Sequence, residues 1–113
     1  MNMMIDLIGD VRKLGYMDNF KNILQKAIKI CNIELKNRKN GINGESTVEQ
    51  LEEIIIPELN QILYMINNNQ LPPKEDRYLN SFANAFKVWG WDMQTPTEIF
   101  VLLVKLNNAY KNL

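Results

Sequence analysis

An all-α fold, a compact bundle of about five helices forming a single domain over residues 1–113, follows from three features of this sequence. Apolar residues recur at three- and four-residue spacing along most of the chain, the period of a helix with one buried face. Helix-start signals stand ahead of two of these runs, at Ser46-Thr47-Val48-Glu49 and Thr95-Pro96-Thr97-Glu98. No stretch carries a convincing strand pattern. The most apolar third, residues 78–113, holds both tryptophans and three of the four phenylalanines, so the remainder is expected to fold around it.

Residues Met3 to Leu14 read as a short amphipathic helix with Met4, Leu7, Ile8, Val11 and Leu14 on its apolar face, ended by Gly15. Asp18 is placed to cap a second helix running to Asn37. Its apolar face is Phe20, Ile23, Leu24, Ala27, Ile28, Ile30, Cys31 and Leu35. Glu34 falls inside that sector and Ile33 outside it. The Asn-Gly pairs of Arg38–Gly44 mark a loop. A capping box at Ser46–Glu49 then opens a third helix, which meets Pro57. Proline inside a helix removes a hydrogen bond and crowds the preceding turn, at a cost of about 3 kcal/mol. Val48, Leu51, Ile55, Leu59, Ile62 and Ile66 nevertheless stay on one stripe across it. A continuous helix kinked at Pro57 explains this best; a break with a new helix starting at Pro57 is the alternative.

After the polar connection Asn67–Lys74, a fourth helix is predicted from Glu75 to Trp89, with Tyr78, Phe82, Ala85, Phe86 and Trp89 on its core face. Gly90 is placed to end it in a left-handed conformation. Trp91 falls in the turn that follows, either as a lid on the core or as a partner contact. The fifth helix opens on a capping box with Thr95 as cap, Pro96 in the first helical position and Glu98 reaching back. Ile99, Leu102, Leu103, Leu106, Tyr110 and Leu113 share its face. Phe100, Val101 and Val104 lie off that face, so the first half is apolar nearly all round and expected to be central.

Composition removes several function classes. The chain has one cysteine, Cys31, and no histidine. No nitrogen–sulfur ligand set for zinc or iron can be assembled, and no Ser-His or Cys-His nucleophile. Gly41 and Gly44 lack the flanking strand and Lys-Ser/Thr of a phosphate loop. No catalytic residue, cofactor site or metal site is expected, and the chain does not read as an enzyme. The lone cysteine fits a reducing cytosol. The opening residues carry Asp6 and Asp10 without a long apolar run, so no secretory leader is expected. The apolar run Ile99–Val104 is far short of the roughly 20 residues of a membrane span, so none is expected there.

Formal net charge is zero, which argues against general nucleic-acid binding. The basic face of the second helix (Lys21, Lys29, Lys36, Arg38, Lys39) has no accompanying aromatic platform. The zero total conceals a division. Residues 1–44 carry a net charge of +4, residues 45–76 of −6 and residues 77–113 of +2. Solvated helix faces and acids at helix starts account for such a pattern in many proteins. The sharper reading is an acidic surface matched to a basic partner. Its candidate residues are Glu49, Glu52, Glu53 and Glu58, joined by Trp91 and Asp92 from the turn. Glu52 lies nearer the apolar stripe than a solvated charge should.

Arg77-Tyr78-Leu79, Ser81-Phe82-Ala83, Ala85-Phe86, Trp89-Gly90-Trp91-Asp92 and the closing Tyr110–Leu113 stand together in residues 71–113. This segment resembles the C-terminal part of small bacterial immunity proteins, the cytosolic antidotes encoded beside polymorphic or contact-dependent growth-inhibition toxins. The resemblance implies a non-enzymatic cytoplasmic protein that binds and neutralises one cognate toxin domain, often a nuclease. It transfers no contact residues, because such proteins are diverse in sequence and fold. A helical adaptor or regulatory protein acting as a homo-oligomer is the competing class.

Overall fold

The computed structural model describes the backbone of residues 3–113 and the side chains of residues 15–113. Among the described residues the chain is all-helical, with no strand. Four α-helices form: α1 (Met3–Lys39), α2 (Ile56–Asn67), α3 (Asn80–Lys87) and α4 (Glu98–Lys111). α1 packs against α2 and α4, and α4 packs against α3. No described helix is long and apolar enough to cross a membrane.

The two N-terminal helices expected from sequence are one. α1 runs unbroken through Gly15, which has open space where a Cβ would lie. Glycine costs a helix interior only about 1 kcal/mol relative to alanine, and no proline stands nearby to enforce a stop. The proposed apolar face Met4–Leu14 lies outside the described side chains. Further along, Phe20, Leu24, Ala27 and Cys31 are buried, a strict i, i+4, i+7, i+11 stripe. Burial pushes the Cys31 thiol up to about 12, with Glu34 adding to the shift; the group is a small core hydrophobe. Ile33 is exposed, as its position off the stripe requires.

Glu34, the misfit on the apolar sector, pairs with Arg38. Arg38 also donates from Nε to the Ser46 carbonyl at 2.7 Å and from Nη1 to the Ile42 carbonyl at 3.3 Å. One guanidinium thus ties the end of α1 to the loop behind it. Gly44 is where they meet: a Cβ there would lie 1.9 Å from Arg38 Nη2.

The capping box expected at Ser46–Glu49 forms one residue later. Thr47 Oγ1 accepts from the Gln50 N–H and Gln50 Oε1 accepts from the Thr47 N–H, both at 3.1 Å. The helix continues from Val48 without a break into α2. The irregularity expected at Pro57 is a π-helical turn over Gln50–Ile55, in which the Ile56 N–H donates to Leu51 O. A wide turn relieves the crowding that a proline ring imposes on the carbonyl four residues back. Leu51, Ile55, Leu59 and Ile62 stay buried through it.

α3 is much shorter than the predicted Glu75–Trp89. A 3₁₀ turn at Lys74–Asp76 and an extended Arg77–Leu79 replace its first third. Tertiary acceptors take the backbone donors that would have continued the helix. The Leu79 N–H donates to Asn107 Oδ1 at 2.9 Å. Those of Asn80 and Ser81 donate to the two Glu58 oxygens at 2.7 and 2.8 Å. Arg77 fixes the extended piece by donating to the Pro72 and Leu113 carbonyls at 2.9 and 2.8 Å. The helical face shifts accordingly. Leu79, Ser81 and Ala85 are buried, whereas Tyr78 and Phe86, both expected in the core, are 53% and 43% exposed. Phe82 is half-buried between Phe86 and Phe100, with ring centroids 5.9 and 6.4 Å away.

Gly90 does adopt a left-handed backbone, with φ of 67°. It turns the chain so that the Trp91 N–H donates to the Ala85 carbonyl at 3.1 Å. The cap of α4 is Thr97, not Thr95: Thr97 Oγ1 accepts from the Phe100 N–H at 3.2 Å. The Thr95 hydroxyl is drawn away to Asp92 Oδ2 at 2.6 Å. α4 is buried on most sides, through Ile99, Phe100, Leu102, Leu103, Leu106, Asn107 and Tyr110. Tyr110 stacks on Phe20 of α1 at 5.6 Å and 13°.

Candidate protein-binding groove

The six residues singled out from sequence do not form one surface. Trp91 is buried, 5% exposed, edge-on to Phe100 at 5.7 Å. It is a lid on the core, which removes the contact alternative. Asp92 is exposed but committed to its own turn. Its backbone N–H donates to Glu45 Oε2 at 2.8 Å. Its carboxylate accepts from the Thr95 hydroxyl and from the N–H groups of Gln94 and Thr95. Those bonds, the Thr95 hydroxyl first, hold its pKa below the ordinary 3.8. Because the folded value lies below the unfolded one, the stabilisation is complete above the unfolded pKa and is lost as pH falls through the folded one. Asp92→Asn should therefore flatten the fall in thermal midpoint between neutral pH and about pH 3. An unchanged pH dependence in the variant would show that the turn contributes nothing.

The four glutamates divide by role. Glu52 pairs with Lys39 at 3.0 Å, both side chains about half exposed. Such a pair contributes about 0–1 kcal/mol. Glu58 holds the first turn of α3, whose own Leu79 cap position supplies no side-chain acceptor. Glu58→Ala should cost about 0.5–2 kcal/mol by removing the acceptor that caps the first turn of α3, read as a shift of the urea midpoint. A loss no larger than that of Gln61→Ala, an exposed neighbour, would show the two bonds to be idle. Glu49 and Glu53 are exposed.

Glu53 and Glu58 face a groove of about 520 Å³ between the outer side of α2 and the chain entering α3. Ile54 and Pro57 come from one side, Pro72, Asp76 and Tyr78 from the other, and Tyr110 of α4 also lines it. Three carboxylates line it and no lysine or arginine does. Burial raises the Tyr110 pKa; Arg77 opposes the shift and Glu58 adds to it, so the phenol stays protonated at neutral pH. The groove exists because α3 starts late: the extended Arg77–Leu79 segment turns Tyr78 outward, where a longer helix was expected to bury it.

Sequence reasoning did not reach Asp76, Tyr78 or Tyr110 as groove residues, nor Asn107 as their support. Asn107 did leave a sign. It is polar, yet it lies on the apolar face of α4, four residues after Leu103 and three before Tyr110. A polar side chain in that sector needs a buried partner, and Leu79 N–H is that partner.

A second recess, of about 300 Å³ and almost wholly apolar, lies on α4 among Met93, Pro96, Phe100, Val101, Val104 and Lys105. No group of three or more metal-ligating side chains stands together among the described residues. The chain matches no family model, and no curated protein or solved structure matches it.

Proposed function

We propose that this chain is an immunity protein, which binds a cognate bacterial toxin domain in the cytoplasm and neutralises it by direct contact, without chemistry of its own. The observation that carries the reading is the acidic groove. Its carboxylates stand beside two exposed contact side chains, Tyr78 at 53% and Ile54 at 37% exposed. Tyrosine and apolar anchors ringed by charge are the usual composition of a protein-binding patch. A nuclease toxin offers the matching basic surface, and the resemblance of residues 71–113 to immunity proteins points the same way.

The test is a tagged pull-down from the native organism. The expected partner is one stoichiometric protein, toxic when expressed alone and harmless beside this chain. Reversing Glu49, Glu53 and Asp76 together to lysine should then weaken the complex at least about tenfold and steepen no other property of the fold. Glu58 is left intact because its loss would perturb α3. Recovery of this chain alone, with no toxic neighbour, would sink the reading.

The homo-oligomeric adaptor is favoured by a different feature. Met93 and Val101, 59% and 37% exposed, line the apolar recess on α4. Sedimentation separates the two: a stable dimer favours the adaptor, a monomer the immunity protein.

A further inference from the structure

We infer that Asn43 is a site of spontaneous modification, at which the Gly44 backbone nitrogen expels ammonia from the asparagine side chain and leaves aspartate or isoaspartate. No groove residue takes part, so the site is independent of what the chain binds.

The chain holds two Asn-Gly pairs, Asn40-Gly41 and Asn43-Gly44, both exposed in the loop after α1. Asparagine is among the thermolabile residues. A glycine behind it offers no side chain to block the approach of its nitrogen to the amide carbon. By sequence the two pairs are equivalent, and the fold separates them. The Asn40 N–H donates to the Lys36 and Asn37 carbonyls at 3.0 and 3.1 Å, and the Gly41 N–H donates to the Arg38 carbonyl at 3.1 Å. The attacking nitrogen of the first pair is thus held in the turn that ends α1, and it must give up a hydrogen bond before it reacts. In the second pair neither the Asn43 nor the Gly44 N–H enters a hydrogen bond among the described residues, and the Asn43 amide finds no partner there either. Both reacting groups are free, and water reaches them.

The chemistry needs only that water. Hydroxide takes the Gly44 N–H proton, the nitrogen attacks Asn43 Cγ, and a cyclic imide closes as the Cγ–Nδ2 bond breaks and ammonia leaves. Water then opens the ring. Opening at Cγ restores the main chain with aspartate at position 43. Opening at the main-chain carbonyl leaves isoaspartate, in which the chain runs through the side-chain carbons. The sum is amide and water giving carboxylate and ammonia, with nothing oxidised or reduced.

Arg38 is where the product is felt. Its guanidinium donates to the carbonyls of Ile42 and Ser46, one on each side of the pair. It also lies so close to Gly44 that a methyl group would not fit between them. Isoaspartate inserts an extra carbon into the main chain just ahead of that contact, and this displaces Gly44 from the guanidinium. The new carboxylate adds to Glu34, Glu45 and Glu98, which line the same recess as Asn43 and Arg38. The tie between the end of α1 and the loop behind it loosens.

The experiment ages the whole folded chain in mildly alkaline buffer and samples it over days. Proteolysis with tandem mass spectrometry places each converted residue, and labelling with an isoaspartyl methyltransferase counts the isoaspartate. Asn43 is expected to convert at least about fivefold faster than Asn40, the factor that one net hydrogen bond imposes. In guanidinium chloride, where the turn is gone, the two rates should draw level. Asn43→Gln should abolish conversion at that position and hold the thermal midpoint constant through ageing, whereas the midpoint of the parent falls as isoaspartate accumulates. Conversion at Asn40 as fast as at Asn43, one ratio of rates in folded and unfolded chains alike, or a parent midpoint that stays put while isoaspartate accumulates would overturn the inference.

Discussion

Leu103→Ala is expected to lower the stability of the folded chain by about 2–5 kcal/mol, a large share of the roughly 5–15 kcal/mol that holds a domain of this size. Leu103 is fully buried on α4, the helix that packs against both α1 and α3. Removing its isobutyl group takes away transfer energy and leaves a void that three helices would have to close. Val101, two residues earlier, is 37% exposed; Val101→Ala should cost well under about 1 kcal/mol. Urea unfolding followed by circular dichroism reads both. Equal losses for the two would mean that α4 is not the centre of the core.

Trp91→Ala is expected to cost about 3–5 kcal/mol. The indole is 5% exposed and meets Phe100 edge-on and Trp89 at 5.5 Å. Its Nε1–H is buried without an acceptor among the described residues. Trp91→Phe, which removes that donor and keeps an aromatic ring, should recover more than half of the loss. A Trp91→Ala variant within about 0.5 kcal/mol of the parent would place the side chain on the surface after all.

These two residues also mark how far the sequence alone reports the fold. Leu103 was readable because helical periodicity reports on one element at a time, and α4 obeys it from Ile99 to Tyr110. The stripe across Pro57 was readable for the same reason: Leu51, Ile55, Leu59 and Ile62 share a face whatever the proline does locally. Trp91 was not readable. Its burial depends on the direction in which Gly90 sends the chain and on Phe100 waiting there, and neither is a property of the local sequence. The length of α3 was hidden in the same way. Tyr78 and Phe86 fit a helical stripe, but the donors of Leu79, Asn80 and Ser81 are claimed by Asn107 and Glu58, residues 22 to 28 positions away. Capping positions slipped by one or two residues because the signals were dense: Ser46 and Thr47, Thr95 and Thr97 are all competent caps, and distant contacts chose among them.

The acidic character of residues 45–76 was plain from counting charges, but the grouping was not. Counting treats Glu49, Glu52, Glu53 and Glu58 alike. The fold gives Glu52 to Lys39, Glu58 to α3 and Glu53 to the groove, then adds Asp76 and Tyr110 from other segments.

The wide turn ahead of Pro57 bears on which changes of chain length the protein tolerates. A π-helical turn encloses one residue more than an α-helical one. Deleting a single residue from the exposed positions Glu52–Ile54 would close it to an ordinary turn, while the stretches on either side kept their facing. The proline ring would then press on the carbonyl four residues before it. The deletion and Pro57→Ala are therefore a coupled pair: together they yield a regular helix, and the shortened chain that retains proline is the strained one. Sequences descended from a common ancestor with this chain should lose the extra residue and the proline together, so that a gap in their alignment just ahead of α2 coincides with the absence of proline.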